Sequence, residues 1–196
     1  MSLKYLNLLK KFFWKKGLPI QFTHFVTAKC NLRCAHCFYW EKINSKHSEL
    51  TLEEIQKISR TMGKFFFLLI GGGEPFYRDD LPEIIKTYYE NNHIQNVSIP
   101  TNGIDTGKIV NLTNKILDIC PELSVSISIS LDGTAEVHDE IRNMKGAFKN
   151  AIKTFYELSA LKQRNLFIGI QTTVSAYNQK RIKELYQYVK NDLNAQ

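Results

Sequence analysis

Between Gln21 and Asn191 the apolar patterning alternates between strand-like and helix-like runs five times over, and no other feature constrains the fold as much. Gln21 to Ala28 reads as a strand, Thr51 to Met62 as a helix, Phe65 to Ile70 as a buried strand and Asp80 to Asn91 as a helix. Asn96 to Pro100, Ser124 to Leu131 and Leu166 to Val174 complete the strands. Thr106 to Ile119, Gly146 to Lys162 and Asn178 to Asn191 complete the helices. Helix starts carry matching chemistry: Thr51 with Glu54 three residues on is a capping box, and Pro82 lies in a first turn behind Asp79 and Asp80. Five strand–helix units in succession predict an α/β fold, a parallel sheet with right-handed crossovers and outer helices. The chain shows no internal repeat, low-complexity segment or obvious linker.

The chemistry-bearing loops share one position in this scheme. Cys30, Cys34 and Cys37 follow the first strand, Gly71-Gly72-Gly73-Glu74-Pro75 the second and Thr101-Asn102-Gly103 the third. Ser130-Leu131-Asp132-Gly133 ends the fourth, and Gln171-Thr172-Thr173-Val174 the fifth. All are carboxyl ends of strands, where parallel barrels place their active sites.

The cysteines stand as Cys-x3-Cys-x2-Cys, followed by Phe38-Tyr39-Trp40 and by no fourth cysteine within reach. A cubane iron–sulfur cluster has four irons and normally takes four thiolates. Three thiolates leave one iron open to bind something else, much as a catalytic zinc keeps an open position. The alternative is a non-catalytic, zinc-stabilised binding module in which His36 or His24 completes a tetrahedral site. Zinc modules usually draw two ligand pairs from separated elements. The other cysteine, Cys120, lies far along the chain beside Pro121 and reads as a small buried residue.

The glycine-rich loop lacks the Lys-Ser/Thr that follows the glycines of a P-loop, and Glu74 would repel a phosphate. A carboxylate beside open backbone suits an ammonium group, met by a charge-assisted hydrogen bond. Ser130 can offer a hydroxyl to a carboxylate or ribose, and Arg142 could clamp a carboxylate with its fork. Together Glu74, Ser130 and Arg142 could hold both charged ends of an amino acid. Taken singly, Arg142 reads as a surface salt-bridge residue and Asp132-Gly133 as a turn.

Charge is unevenly spread. Residues 1–40 hold seven basic residues and no acid, leaving nineteen basic and nineteen acidic residues in the rest of the 196-residue chain. A neutral body argues against a nucleic-acid footprint. Residues 3–16 read as a short amphipathic helix with Leu6, Leu9 and Phe13 on one stripe, ended by Gly17 and Pro19. Packing against the barrel is its first reading; contact of residues 4–16 with an anionic membrane surface or an acidic partner is its second. Clustered cysteines and the lack of a secretory signal predict a reducing cytoplasm.

With these residues in view, the chain resembles the radical S-adenosylmethionine (radical SAM) superfamily. Cys30-Asn31-Leu32-Arg33-Cys34-Ala35-His36-Cys37 is similar to that family's cluster loop, and Gly72-Gly73-Glu74-Pro75 to its methionine-binding motif. Ser130 to Gly133, then His138 to Arg142 with Gly146 and Phe148, resembles the branch of sulfatase-maturing and peptide-modifying SPASM-type enzymes. The resemblance implies a [4Fe-4S] cluster on Cys30, Cys34 and Cys37, with S-adenosylmethionine chelating the open iron. It places Glu74, Gly72 and Gly73 on the amino group, Ser130 and Arg142 on the carboxylate, and the backbone beside Cys37 with Phe38 at the adenine. It further implies reductive cleavage to a 5′-deoxyadenosyl radical that abstracts hydrogen from a peptide or small-molecule substrate. The electron donor would be a protein such as a flavodoxin or ferredoxin. The expected architecture is a partial (β/α) barrel over residues 20–196, behind an amphipathic segment at 1–19. Five of the usual six units are counted, with no cysteine-rich extension. That shortfall predicts a truncated or split polypeptide, or a partner chain completing the barrel.

Overall fold

A computed structural model describes residues 19–46 and 48–193. The amphipathic helix expected at 3–16 lies outside the described residues.

Five strands form one sheet: β1 (Gln21–Thr27), β2 (Phe67–Gly72), β3 (Asn96–Thr101), β4 (Ser124–Ser130) and β5 (Leu166–Gln171). They lie side by side in sequence order and every neighbouring pair is parallel. Among the described residues six α-helices accompany them: α1 (Leu52–Thr61), α2 (Leu81–Asn92), α3 (Thr106–Ile119), α4 (Ala135–Arg142), α5 (Ala147–Ser159) and α6 (Ile182–Asn191). Strand order without reversal is the winding of a barrel rather than of a doubly wound sheet.

One face of the sheet is the core. Val97 and Ile99 of β3 and Val125, Ile127 and Ile129 of β4 are buried with Ile84 and Ile85 of α2, Ile109 and Ile116 of α3, and Phe155 and Leu158 of α5. Alternation places Ser98, Pro100, Ser126, Ser128 and Ser130 on the other face, half-buried. The apolar residues that make β4 a strand in sequence are thus the ones that seat the helices.

The helix starts hold as chemistry predicts. The Thr51 hydroxyl accepts the Glu54 N–H at 3.2 Å while the Glu54 carboxylate accepts the Thr51 N–H at 2.8 Å, closing the capping box. Asp80, in front of α2, pairs with Arg78 through both oxygens, at 2.7 and 2.6 Å, and makes no side-chain cap.

Several boundaries differ from expectation, three of them for a reason visible in the hydrogen bonds. β2 begins at Phe67 because Phe65 and Phe66 are spent on the preceding turn, where their N–H groups reach Asn92 and Ile20. β5 stops at Gln171 because Thr172 and Thr173 turn back to Leu131 and Asp132. The last helix is entered through a 3-10 turn at Gln179–Arg181. One α-helix is missing from the sequence reading altogether: α4, whose two buried aliphatic positions, Val137 and Ile141, are too few to signal a helix. Asn143, in the left-handed region at φ 53°, ends it. Among the described residues no helix is long and apolar enough to cross a membrane.

Candidate active site

The loop after β1 is held in shape by side chains beyond it. Glu49 accepts the Thr27 hydroxyl and, at 3.3 Å, the Ala28 N–H. Asn44 accepts the Cys30 N–H at 3.0 Å and donates to the Cys30 carbonyl at 2.9 Å. Leu32 and Ile43 are buried beneath the loop, and the Ala35 N–H reaches the Ile141 carbonyl of α4 at 2.8 Å. Cys34 is buried and Cys30 and Cys37 are half-buried; all are free thiols. The Leu32 N–H donates to the Cys30 sulfur at 3.4 Å, and Arg142 Nη1 donates to the Cys34 sulfur at 3.7 Å.

The loop after β2 lies against this one. Gly73 N–H donates to the Thr27 carbonyl at 2.7 Å and Glu74 N–H to the Lys29 carbonyl at 2.8 Å. A Cβ on Gly72 would sit 2.2 Å from the Thr27 carbonyl oxygen, and one on Gly73 2.2 Å from that of Lys29. Gly72 also has a φ of +115°. Both glycines are therefore required by the close approach of the cysteine loop's own backbone.

Glu74 is buried, and three protein donors meet it. Its Oε1 accepts the Thr101 hydroxyl at 2.9 Å and the Phe76 N–H at 3.3 Å, and its Oε2 the Asn102 N–H at 2.7 Å. Burial pushes its carboxyl up to about 7 against the opposing pull of these donors. A carboxylate offers about four acceptor positions, so one is left for a ligand. Burial likewise pushes the Cys30 thiol up to about 11 and raises that of Cys34, where Arg142 pulls the other way.

Cys30, Cys34, Cys37, Phe38, Gly72, Gly73, Glu74, Ser130 and Arg142 all line one cavity. The space between them, open mouth included, is about 800 Å³. Phe38 stands at the rim, 82% exposed, its ring 6.2 Å from those of Phe25 and Tyr39. Ser130 ends β4 and Arg142 ends α4, where the guanidinium Nη2 lies 2.7 Å from Asp132 Oδ2. Arg142 is thus buried and already paired, not the surface salt-bridge residue its sequence context suggested. Asp132 is fully buried rather than part of an exposed turn.

The zinc alternative finds little support in this geometry. His24 faces the helices, with Nδ1 3.1 Å from the Tyr88 hydroxyl, and has no part in the cavity. His36 lines the cavity, but its Nε2 faces Asp132 at 3.7 Å. Among the described residues no three His, Cys, Asp or Glu side chains converge on a single ion. Cubane ligands bind different irons and need no such convergence. The donor set suits a cluster: three thiols on one loop, with N–H donors already aimed at two of the sulfurs.

Sequence reasoning missed Asn44 and Glu49, and named Asn102 and Asp132 only as members of their loops, without these contacts. Asn102 donates to Asn31 at 2.7 Å and approaches the Cys30 sulfur at 3.9 Å. Its only sequence signal was its place after β3.

A parallel sheet wound in one direction, with a three-cysteine loop and an acidic glycine loop side by side at its carboxyl edge, is the architecture of a barrel-type enzyme with its site at that edge. The family model described as the radical SAM superfamily matches residues 25–189, and the chain belongs to that family. It is similar to Fe-coproporphyrin III synthase of Methanosarcina barkeri, 28% identical over 85% of this chain and 40% of that protein. It is also similar to mycofactocin maturase MftC of Mycobacterium tuberculosis, 31% identical over 82% of this chain and 39% of that protein. Among solved structures it superposes on native anSMEcpe with bound AdoMet and Cp18Cys peptide at a TM-score of 0.66, with 19% identity over 89% of this chain and 48% of that one. The chain spans about two fifths of the length of these two curated relatives. Radical SAM proteins are enzymes that use a [4Fe-4S] cluster and S-adenosylmethionine.

Proposed function

We propose that this chain is the cofactor-binding core of a radical SAM enzyme acting on a peptide or small molecule. The observation that carries the reading is the meeting, in one cavity, of three thiols from the β1 loop with Glu74 from the β2 loop. Cys30, Cys34 and Cys37 would hold the cluster, and the N–H donors at Cys30 and Cys34 would support its thiolates. Glu74, poised near 7 by burial, would take the ligand's ammonium with its remaining acceptor position; the cation in turn favours the ionised carboxylate. The backbone at Gly72 and Gly73 borders that ammonium. The hydroxyl of Ser130 and the uncommitted N–H groups of Arg142 would receive the ligand carboxylate, and Phe38 at the rim would cover the adenine.

When bound, the reduced cluster and S-adenosylmethionine supply a 5′-deoxyadenosyl radical for hydrogen abstraction. The protein's own part is to orient both ends of the ligand and exclude water around them. An external one-electron donor, such as a flavodoxin or ferredoxin, completes the scheme.

The test is anaerobic reconstitution followed by addition of S-adenosylmethionine and dithionite. About four irons per chain and release of 5′-deoxyadenosine are expected, both lost in Cys34→Ala. Zinc retained in place of iron would refute the reading.

A second reading rests on β5, whose only neighbour in the sheet among the described residues is β4 and whose Phe167 is exposed. An open strand edge seeks a partner, so another segment or chain would have to complete the barrel before turnover. Its signature is cluster and cofactor binding without substrate turnover until that partner is added.

A further inference from the structure

Asp132, at the carboxyl edge of the sheet, is tied through its backbone and its side chain. Its N–H donates to His138 Nδ1 at 3.1 Å and its carbonyl accepts from Asn178 Nδ2 at 2.9 Å. Its Oδ1 accepts the Thr173 N–H at 3.0 Å, and its Oδ2 lies 2.7 Å from Arg142 Nη2 and 3.7 Å from His36 Nε2. Helix α4, through His138 and Arg142, and the segment following β5, through Thr173 and Asn178, therefore grip it. Arg142 is a long side chain buried at the end of α4, and its Nε has no partner. A guanidinium is a rigid planar fork, so anchoring one arm fixes where the other points. With Nη2 on Asp132, Nη1 reaches the Cys34 sulfur.

We propose that Asp132 is a positioning residue for the cysteine loop: it holds the Arg142 guanidinium against Cys34, so that one cluster thiolate carries a permanently charged N–H donor. This rests on the reading that Cys30, Cys34 and Cys37 bind a cluster. The donors at Cys30, from Leu32 and Asn102, are uncharged, so the thiolates are inequivalent by construction. Reduction adds one electron from an external reductant to the cluster and makes no other bond. A fixed positive charge and an N–H donor at a ligand sulfur favour the more negative, reduced state and so raise the reduction potential.

The experiment compares the wild type with Arg142→Gln, Arg142→Lys and Asp132→Asn, each reconstituted anaerobically. The midpoint potential is read by electron paramagnetic resonance during a dithionite titration, without S-adenosylmethionine. Arg142→Gln is expected to lower the potential, and Arg142→Lys to lower it less, since an ammonium cannot span both Asp132 and the sulfur. Asp132→Asn is the decisive variant. Removing a negative charge would by itself raise the potential, whereas releasing Arg142 from Cys34 lowers it; a fall is expected. A rise in Asp132→Asn, or an unchanged potential in Arg142→Gln, overturns the proposal. Breaking a buried ion pair is severe, so if circular dichroism shows Asp132→Asn unfolded, Arg142→Lys decides, and a wild-type potential there overturns it. Failure of the wild type to take four irons defeats the cofactor reading and this proposal together. A wild-type cluster with a potential indifferent to all three substitutions defeats this proposal alone.

Discussion

Asn44 holds Cys30 by both polar groups of its backbone, accepting the N–H at 3.0 Å and returning a bond to the carbonyl at 2.9 Å. Asn44 itself sits in the left-handed region at φ 58°, a conformation asparagine tolerates better than most residues. Its own N–H reaches the Ala28 carbonyl at 3.0 Å, so the cysteine loop closes on itself at its base. Two exposed hydrogen bonds to a neutral partner are worth about 1–2 kcal/mol together. Asn44→Gly keeps the backbone geometry and loses both bonds. It is expected to lower apo stability by about that amount and to speed loss of iron to a chelator several-fold. Urea unfolding and timed iron release measure the two effects. Iron release at the wild-type rate would show that the clamp does not organise the loop.

Gly73 and Gly169 should respond in opposite ways to alanine. At Gly73 the new Cβ meets the Lys29 carbonyl oxygen at 2.2 Å, a backbone atom that a side-chain rotation cannot move. At Gly169, in β5, nothing lies within 4 Å of the new atom. Gly73→Ala is expected to cost at least about 2 kcal/mol and to impair cluster loading, and Gly169→Ala to change stability by roughly 0.5 kcal/mol or less. Paired denaturation curves decide it. Equal effects would mean that the β2 loop does not press on the cysteine loop as described.

Glu74 and His138 give opposing pH dependences. Glu74 binds its proton more tightly folded than unfolded, at about 7 against an ordinary 4.5, because of burial. Its contribution is therefore lost as pH rises from 4.5 to about 7. His138 is pushed down to about 4 from 6.5 by burial and by Arg142, so its contribution is lost as pH falls through the same region. Between about 4.5 and 6.5 the two slopes offset one another. His138→Asn, which keeps an acceptor for the Asp132 N–H, should remove its share of the opposing slope: acidification from pH 7 to 5 would then favour the fold more than in the wild type, His24 and His36, both pushed down by burial, being common to the two proteins. Urea midpoints at the two pH values test this. The same pH dependence in both proteins would mean that His138 is not buried as described.

Ligand binding should drive a proton off Glu74. At pH 7 the carboxyl is about half protonated, and an ammonium placed beside it favours the ionised form. S-adenosylmethionine binding to reconstituted protein at pH 7 is expected to release up to about half a proton per site, falling toward zero at pH 8.5. Calorimetry in buffers of different ionisation heat reads this directly. Heats independent of buffer at pH 7 would place the ammonium elsewhere.

The parts legible in sequence were those written in local order. The strands and the large helices follow from apolar spacing in single segments, and α3 runs over Thr106–Ile119 as read. The three cysteines and Glu74 were recognisable because each motif lies within one loop. The short helix α4 was not, since eight residues with two buried aliphatic positions carry too weak a period. Nor was Asn44, fourteen residues beyond the cysteine it holds.

By itself, then, the sequence determined an ordered series of strands and helices, and a cysteine loop and an acidic glycine loop at neighbouring strand ends. Tertiary structure alone decided what those loops do to each other. Thr27 and Lys29 require glycine at 72 and 73, Asn102 and Thr101 occupy most of Glu74, and Asp132 turns Arg142 toward a sulfur 108 residues earlier. The physical reason is the parallel crossover. Each helical return brings the carboxyl ends of strands distant in sequence to one edge, and the contacts made there depend on ångström-scale placement that no local pattern encodes.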